Sequence, residues 1–485
     1  AGAGEVEVTW PEPLTAAERV ARAARFWATM VPILAAYKLL ELRGGDEAQW
    51  DALHARSAAS IRGALEALQG FYIKSGQLVA TRVDLFPPAF AKELATMTDG
   101  VAPMPAKLAR AVVERELLGG RRIEEVFSEF DEAPVGSASV AQVHRAVLRE
   151  SGQQVAVKVQ RPAVEPKMLA DVSNLTALFG QPALREAFPV DYYVVFSELG
   201  KQLEREFDFE TEAQSQERIR SALLAGPSGS PVAVPAVCEG LVAPRCFAME
   251  FANGVPLSRA AEEMPSASEA ERQLFGRRLL GALTQAFGRM ILLEGFFHGD
   301  PHPGNIFVDP KTGEVTLLDF GQTKELSEET RLGLARLVVL VAEQPEDLEQ
   351  VDTVAIRTLI ESIGVQFVEG ADDTAGAAAA MWLFDSRPEL PGGYSPSELD
   401  AKSPALAVAS FPREMVFVGR SSVLIRGITA ALGVNWSLAK EWAPIARQAL
   451  VTDQERRAGI IPDASPSAAG PLNWLSTRLL APLLA

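Results

Sequence analysis

Two short segments constrain the fold of this chain more than any other feature. The first is His298-Gly-Asp-Pro-His-Pro-Gly-Asn305, and the second is Leu317-Leu-Asp-Phe-Gly-Gln322. An Asp followed five positions later by an Asn, and then by a second Asp after a β-like run, is the loop order of kinase-type phosphoryl transfer. Either segment alone is also compatible with an ordinary turn rich in Pro, Gly, Asn and Asp. Both segments together, in this order, favour the first interpretation.

The chemistry of phosphoryl transfer assigns a role to each polar residue of these segments. One carboxylate must face the acceptor hydroxyl, while an Asn and a second Asp hold Mg²⁺ against the triphosphate. Asp300 is therefore predicted to be the base or acceptor-orienting group, and Asn305 and Asp319 the magnesium ligands. His298 is predicted to brace the loop backbone. A chain with a net charge of −17 has particular need of a metal to neutralise phosphate charge.

An upstream segment supplies the elements that should meet the nucleotide. Val155-Ala-Val-Lys158 predicts a strand whose Lys pairs with the α- and β-phosphates and with a helix Glu, although a strand Lys is more often just solvated. The phosphate-covering loop is expected just before this strand. Its candidate ATP-binding residues are Gly136, Ser137, Ala138, Ser139, Val140 and Ala141. Alanines stand where protein kinases carry further glycines, so the stiffer loop is expected to bind ATP in a changed pose.

The Glu partner of Lys158 is expected on an acidic helix over 197–222. Glu206 and Glu210 would lie one turn apart on this helix, with Glu212 off that row. Spacing alone does not choose among them, and a solvated acidic face is the alternative. Further along, Glu250 ends the strand-rich region and is a candidate hinge residue beside an adenine ring.

Changes in pattern along the chain predict four parts. Residues 1–125 are a helical extension, 126–255 a small antiparallel sheet with inserted helices, 256–460 a mostly helical part, and 461–485 a linker with an apolar tail. The predicted fold class is α+β, a bilobal protein-kinase-like fold with a helical N-terminal extension.

Charge and composition exclude several classes of protein. With 46 Lys and Arg against 63 Asp and Glu, a broad nucleic-acid-binding face is not expected. Two cysteines allow neither a disulfide framework nor a four-ligand zinc site. The apolar stretch Phe26–Leu42 is shorter than the about 20 residues of a spanning helix, and predicts an amphipathic helix on a protein core or a lipid surface. The Ala-rich start without Met would suit a chain from which a transit peptide has been removed.

These residues together resemble the UbiB-type family of atypical kinases, which includes coenzyme-Q-related mitochondrial kinases and many plastid members. The most specific match is Phe71-Tyr-Ile-Lys74-Ser-Gly-Gln77, because Lys-x-Gly-Gln is a hallmark of that family. Its Ala-rich loop is similar to Ala138–Ala141, and its Glu-x-Asp element to Glu206-Phe-Asp208. The helix Glu of that family that pairs with the strand Lys matches Glu212. The resemblance covers residues 60–325.

The resemblance implies a kinase-like core with a helical extension over the active site. Lys74 and Gln77 would project into the space where a protein substrate usually lies, near Glu206 and Asp208. It implies an ATP- and Mg²⁺-dependent kinase or ATPase of isoprenoid-quinone metabolism, with a membrane, lipid-droplet or prenylquinone partner. The expected location is the chloroplast, at plastoglobules or thylakoids, with the mitochondrial inner membrane as the alternative.

Two other functions stay open at this point. His-Gly-Asp-x-His-Pro-Gly-Asn is close to the loop of aminoglycoside and choline kinases, although Lys-x-Gly-Gln does not fit that class. A non-catalytic nucleotide-binding scaffold in a larger assembly is the other.

The sequence also departs from protein kinases in two places. No Ala-Pro-Glu segment follows Gln322, where the residues predict the start of a helix, and Gly299 replaces the usual Arg.

Overall fold

The computed structural model divides the chain into two units, residues 1–211 with 237–251 and residues 212–236 with 252–485. Each unit has its own hydrophobic core, and the first has two. The described residues are 15–68, 71, 72, 76, 87–95, 102–162, 164–180, 193, 196, 197, 200, 201, 203, 206–226, 229–260, 269–385, 387–396, 402–434 and 436–457.

The first unit has helices before its first strand and one more helix, α6, later in the chain. They are α1 (Ala16–Arg43), α2 (Glu47–Leu68), α3 (Pro88–Ala95), α4 (Ala106–Val112, continued by a π turn to Leu117), α5 (Ile123–Val126) and α6 (Val164–Phe179). A capping box starts α1, because Thr15 and Glu18 each accept a backbone hydrogen bond from the other. Gly44 ends it in the left-handed region, where glycine carries no Cβ penalty.

One face of α1 packs on the protein and the other is exposed. Phe26, Trp27 and Tyr37 lie against the core that α2 and α6 help to form, whereas Val31 and Leu42 are exposed. The expectation that this helix packs on a protein core is therefore met, and the alternative of a lipid surface stays a prediction. In the part of the chain that the structure describes, no helix is long and apolar enough to cross a membrane.

An antiparallel sheet completes the first unit. Its strands are β1 (Phe127–Phe130), β2 (Gly136–Ser137), β3 (Ala141–Leu148), β4 (Gln154–Gln160), β5 (Val237–Ala243) and β6 (Cys246–Glu250). They lie in the order β1-β3-β4-β6-β5, and β2 pairs with β3. Val155, Val157 and Val159 are fully buried, whereas Lys158 is only partly buried, as expected where alternate residues point to opposite faces.

The prediction of one acidic helix carrying Glu206 and Glu210 a turn apart is wrong. Glu206 is helical, but a turn follows, and helix α7 (Phe209–Leu224) begins afresh. Asp208 caps it, because its carboxylate accepts from the Thr211 backbone N–H at 3.1 Å and from the Thr211 hydroxyl at 2.6 Å. A residue that favours N-cap positions thus interrupts an otherwise helical run.

The second unit is mainly helical around short strands. Its helices are α7, α8 (Glu269–Gly288, continued by a π turn to Glu294), α9 (Glu328–Ala342), α10 (Thr353–Ser362), α11 (Ala375–Phe384), α12 (Arg413–Leu432) and α13 (Leu438–Arg457). Every residue of α11 is buried, which suits a helix that is apolar all round. The strands are β7 (Val255–Pro256), β8 (Phe296–His298), β9 (Ile306–Val308), β10 (Val315–Leu317), β11 (Thr323–Glu325), β12 (Gln366–Phe367) and β13 (Val408–Ser410).

Two small antiparallel pairings frame the predicted catalytic segments. β9 pairs with β10, and β8 pairs with β11 so that His298 lies opposite Thr323. A short strand thus precedes each segment, as the β-like run before Asp319 indicated. The helix start predicted for the run after Gln322 lies within that run, where α9 begins at Glu328 after the N-cap Ser327, and the short strand β11 precedes it.

Candidate functional site

A chain of tight turns holds Asp300 and Asn305 on one loop of the second unit. The His302 N–H donates to the Asp300 carbonyl at 2.7 Å, and the Asn305 N–H donates to the His302 carbonyl at 2.8 Å. The Asn305 side-chain amide also reaches the Asp300 carbonyl, at 3.4 Å. The amide nitrogen therefore faces the protein, which leaves the amide oxygen of Asn305 as its donor atom for a cation.

His298 links this loop to the second predicted segment. The Asp300 N–H donates to Nδ1 of His298 at 3.2 Å, so Nδ1 carries no proton in this arrangement. Nε2 then carries the proton and donates to the Leu318 carbonyl at 3.0 Å. His298 is buried, and its ring meets Phe320 edge-on. One neutral imidazole thus joins the residue before Asp319 to Asp300, which confirms the predicted bracing role.

Asp319 adopts a backbone conformation that L residues avoid. Its φ is +60°, and among the described residues it is the one non-glycine with positive φ. Such a conformation costs about 1–2 kcal/mol, and residues in it cluster at functional sites. The carboxylate folds back, so that Oδ1 accepts from the Gly321 N–H at 3.3 Å. The strain is located at the residue that is predicted to hold magnesium.

Glu212 lies beside the same turn. A Cβ built on Gly321 would lie 3.3 Å from Oδ1 of Asp319 and 3.7 Å from Oε2 of Glu212. Helix α7 is fixed in this place because Ser215 accepts from the Thr323 hydroxyl at 3.2 Å. Glu212 is buried, and a buried carboxylate is normally paired or hydrogen-bonded. The second unit by itself therefore assembles Glu212, Asp319, Asn305 and Asp300.

Arg218 attaches α7 to the β8–β11 pair through an ion pair and a cation–π contact. Arg218 donates to Glu325 at 2.7 Å, and its guanidinium carbon lies 3.9 Å from the centre of the Phe296 ring. Both partners belong to the β8–β11 pair. This helix is thus attached to the strands on which the two predicted segments are mounted.

Lys158 lies in the middle of the sheet of the first unit. It pairs in register with Val143 on β3 and Phe247 on β6. Its Nζ lies 5.1 Å from the centre of the Phe209 ring, which is itself buried edge-on against Phe247. Phe209 is the first residue of α7, the helix that carries Glu212 three positions later. The aromatic ring therefore helps to orient the Lys side chain.

Arg161 holds the predicted phosphate loop, and sequence reasoning missed it. Its guanidinium donates to the Ala138 carbonyl at 2.9 Å, the Ser137 hydroxyl at 2.6 Å and the Ala102 carbonyl at 2.9 Å. The Ala138 N–H donates within the loop, to the Ala141 carbonyl at 2.8 Å. Burial lowers the pKa of Arg161 from its ordinary very high value. The signal in the sequence is slight, since Arg161 follows the Lys158 strand without any motif.

The remaining loop residues lie as follows. Gly136 has an ordinary φ and open space where a Cβ would stand, so no steric need for glycine exists there. Ser139 and Val140 are partly buried, and Val140 packs against the helical core of this unit. Glu250 is exposed at the end of β6, where its Oε1 accepts from the Gln153 side chain at 3.4 Å.

Lys74 and Gln77 lie outside the described residues. Just before them, Tyr72 is buried, and burial raises the pKa of its phenol, helped by the nearby Asp171 carboxylate. Arg22 of α1 donates to Asp171 and, at 2.8 Å, to the Leu68 carbonyl. The ion pair joins α1 to α6, and the hydrogen bond to Leu68 joins α1 to the end of α2, shortly before the Lys-x-Gly-Gln segment. Of the Glu-x-Asp element, Asp208 has the capping role described above.

The donor set of the second unit suits magnesium. Asn305 and Asp319 offer one amide oxygen and one carboxylate, and Mg²⁺ is usually held by one or two carboxylates with the substrate phosphates and water. In the described ranges, no group of three or more His, Cys, Asp or Glu residues could hold a metal by itself. A metal held by Asn305 and Asp319 would complete its coordination with water or phosphate oxygens.

Comparison with known proteins agrees with this geometry. Residues 96–354 match the family model of the ABC1 atypical kinase-like domain. AarF domain-containing protein kinase 1 of Xenopus tropicalis is 31% identical over 394 residues, covering 79% of this chain and 72% of the frog protein. The chloroplastic protein ACTIVITY OF BC1 COMPLEX KINASE 7 of Arabidopsis thaliana is 29% identical over 410 residues, 83% of this chain and 56% of the plant protein.

A bacterial relative and a solved structure extend the comparison. Probable protein kinase UbiB of Cronobacter sakazakii is 35% identical over 283 residues, 57% of this chain and 50% of the bacterial protein. The chain thus spans about half the length of the plant and bacterial relatives. The solved complex of Rv3197 with erythromycin from Mycobacterium tuberculosis aligns with a TM-score of 0.51 and 21% identity, over 88% of this chain and 97% of that one. At that identity it bears on the fold alone, and the α+β kinase-like fold is confirmed. The chain belongs to the family of ABC1 atypical kinases, together with relatives named UbiB and ACTIVITY OF BC1 COMPLEX KINASE.

Proposed function

We propose that this protein binds Mg²⁺-ATP and uses its γ-phosphate as an atypical kinase or ATPase. The observation that carries the proposal is the joining of two loops by the buried His298, with the strained Asp319 next to the bridged carbonyl. An ordinary turn has no need of a strained Asp or of a buried imidazole bridge. The strained residue lowers the stability of the second unit, as is common at functional sites.

Each residue has a proposed task. Asp300 would orient the acceptor hydroxyl and take its proton, with its backbone position set by His298. Asn305 and Asp319 would hold Mg²⁺, which when bound neutralises charge on the β- and γ-phosphates. Lys158 and the loop 136–141 would contact the phosphates, with Arg161 keeping that loop in shape. Glu212 would act with Lys158, and Glu250 would lie at the adenine ring.

The metabolic setting is part of the proposal. Relatives bear the names UbiB and, for plant proteins, chloroplastic ACTIVITY OF BC1 COMPLEX KINASE. These names support a role in prenyl-lipid, that is isoprenoid-quinone, metabolism at a plastid membrane or plastoglobule surface. The exposed apolar face of α1, with Val31 and Leu42, is compatible with such a surface. Lys74 and Gln77 are proposed to limit access of protein substrates.

Nucleotide titration of the full chain tests the proposal. Asp319→Asn removes the metal-binding charge and is expected to weaken Mg²⁺-ATP binding by about tenfold or more, and Lys158→Ala similarly. Asp309→Asn is the matched control, because Asp309 is a partly exposed carboxylate in the β9–β10 turn that accepts from the Lys311 N–H. Unchanged affinity in both test variants would refute the proposal. Release of phosphate from ATP by the wild type would separate an enzyme from a scaffold.

A further inference from the structure

The residue before Asp300 has no room for a side chain. Gly299 is buried, and a Cβ built on it would lie 2.9 Å from the Gln322 carbonyl oxygen, 3.1 Å from Cγ of Lys324 and 3.5 Å from Cδ1 of Phe417. The first of these atoms belongs to the backbone, so it cannot turn aside as a side chain can. The φ of Gly299 is not positive. Glycine is therefore needed here for space and not for its backbone conformation.

Glycine also leaves this point of the loop in need of restraint. A residue without a Cβ has access to more φ and ψ values than any other, so packing must hold it in one conformation. The Gly299 N–H donates to the Gln322 carbonyl at 2.7 Å, and the Asp300 N–H donates to Nδ1 of His298 at a longer 3.2 Å. Contact with the Cα of Gly299 is the restraint that lies between these two hydrogen bonds.

The Phe417 ring supplies such a contact from a helix that is distant in sequence. Phe417 lies on α12 close to the buried Met415 and Val418, and its ring packs against the core of the second unit. Arg426 attaches the same helix to α11, because its guanidinium donates to the Trp382 carbonyl at 2.7 Å. The ring is thus carried by a helix that the core holds in place.

Two cationic side chains also contact this ring. The Nζ of Lys324 lies 4.4 Å from the ring centre, and the guanidinium carbon of Arg420 lies 5.1 Å from it. Contacts of this kind favour a ring whose face is turned towards the charge. Lys324 belongs to β11, the strand that pairs with β8 just before Gly299. The placement of the ring is therefore set both by α12 and by the strand pair that carries His298.

We infer that Phe417 is a positioning residue for Asp300. Its ring limits the movement of Gly299, and thereby sets the direction in which the next residue presents its carboxylate to the acceptor hydroxyl. The task of Asp300 rests on the proposed function, whereas the packing of the ring on the loop does not depend on it. Phe417 acts through Gly299 and takes no part in the proton transfer.

A role in core packing alone is the alternative, and the two roles give different results when the ring is removed. A ring that only fills the core stabilises the second unit as a whole, so its loss lowers the unfolding free energy without singling out one loop. A ring that positions Asp300 has a local effect as well. Its loss loosens residues 299 and 300 in particular, and slows the chemical step more than it weakens nucleotide binding.

Hydrogen–deuterium exchange of the full chain, without nucleotide, tests the contact. The Gly299 and Asp300 amides are both hydrogen-bonded and are followed in peptides that cover residues 296–305. In Phe417→Ala their exchange is expected to be at least about tenfold faster than in the wild type, because local opening no longer has to displace a packed ring. Phe417→Tyr keeps the ring and is expected to exchange as the wild type does.

Phosphate release from ATP measures the consequence for turnover. Phe417→Ala is expected to lower kcat by about tenfold, with the KM for ATP unchanged within about twofold, whereas Phe417→Tyr should keep the wild-type kcat. Leu424→Ala is the matched control, since Leu424 lies about two turns further along α12, is partly buried and also packs against the core. It is expected to lower the unfolding free energy to a similar extent, but to leave kcat and the exchange of residues 299 and 300 unchanged.

Four results would overturn the inference. They are wild-type exchange of residues 299 and 300 in Phe417→Ala, the same local acceleration in Leu424→Ala, an acceleration in Phe417→Ala that is equal in every peptide of the second unit, and an unchanged kcat despite faster local exchange. Phe417→Leu replaces the alanine variant if that variant does not fold, with an expected acceleration of about threefold. A wild type that releases no phosphate would count against the proposed turnover instead, and the exchange data would still decide whether the ring restrains the loop.

Discussion

The two loops that are proposed to meet the nucleotide are stabilised in different ways. In the loop from His298 to Gln322, the supporting side chain is part of the motif, since His298 bridges Asp300 and Leu318. In the loop 136–141, the supporting side chain lies outside the loop, because Arg161, just after β4, donates to the Ala138 carbonyl and the Ser137 hydroxyl. The first loop also holds a strained residue, Asp319, and the second loop holds none. A loop that carries its own support can be recognised in a sequence, whereas one supported from a distance cannot.

Removing His298 should give the largest effect. His298→Ala leaves the Leu318 carbonyl and the Asp300 N–H without the partner they share and removes a buried ring, which should cost about 2–4 kcal/mol of unfolding free energy. Turnover of ATP should fall by about 100-fold, since Asp300 and Asp319 lose their common anchor. Urea unfolding and a phosphate-release assay measure the two effects.

His302→Ala is the control for that experiment. His302 lies on the same loop, but its ring is exposed and accepts one hydrogen bond from the Gly304 N–H at 3.0 Å. Its loss should cost less than about 1 kcal/mol. Equal damage in the two histidine variants would mean that the bridge is not what distinguishes this loop.

Arg161→Met should weaken the other loop without disturbing the first. The variant keeps the side-chain bulk but removes the three hydrogen bonds to Ala102, Ser137 and Ala138, so the loop should lose its shape. Nucleotide affinity is expected to fall by about tenfold. Arg145→Met is the matched control, because Arg145 lies on the neighbouring strand and pairs with Glu129 and Asp131. If Arg161→Met binds ATP as the wild type does, the loop does not depend on outside support.

Features that depend on local sequence could be predicted, whereas features that depend on distant residues could not. Asp300, Asn305 and Asp319 are predictable because phosphoryl transfer requires those residue types in that order, and the strands around them follow from local pattern. The sequence did not predict the N-cap role of Asp208, because an Asp within a helical run is compatible both with the interior of an acidic helix and with an N-cap. The role of Arg161 depends on contacts between segments distant in sequence, which no local pattern encodes.

The two units also differ in how they hold a buried histidine, and pH can reveal this. His144 donates from Nδ1 to the Asp131 carbonyl at 2.8 Å and accepts at Nε2 from the Gln142 amide at 2.6 Å, the opposite tautomer to that of His298. The Gln142 oxygen is already used by the Met104 N–H. Burial lowers the pKa of His144, against a smaller opposing effect of Asp131.

The unfolded chain, with an ordinary His pKa of about 6.5, then binds a proton that the folded chain resists. Unfolding free energy should therefore fall as the pH drops below about 6.5, and His144→Gln, which has no such proton, should show a flatter profile between pH 8 and 5.5. Urea titrations across that range measure the difference. Parallel profiles for both proteins would show that this histidine does not couple folding to pH.

The smallest expected effect gives the sharpest contrast between the loops. Gly136 has no positive φ and nothing within 4 Å of a built Cβ, so Gly136→Ala should change unfolding free energy by less than about 1 kcal/mol and leave nucleotide affinity unchanged within about twofold. Gly321→Ala, by contrast, puts a Cβ 3.3 Å from Asp319 Oδ1, so that carboxylate must shift by a few tenths of an ångström, and turnover should fall by about tenfold. A loop closed by a distant Arg does not need glycine, and a loop built around a strained Asp does. Comparable losses in the two alanine variants would mean that glycine at 136 serves the nucleotide itself, as in protein kinases.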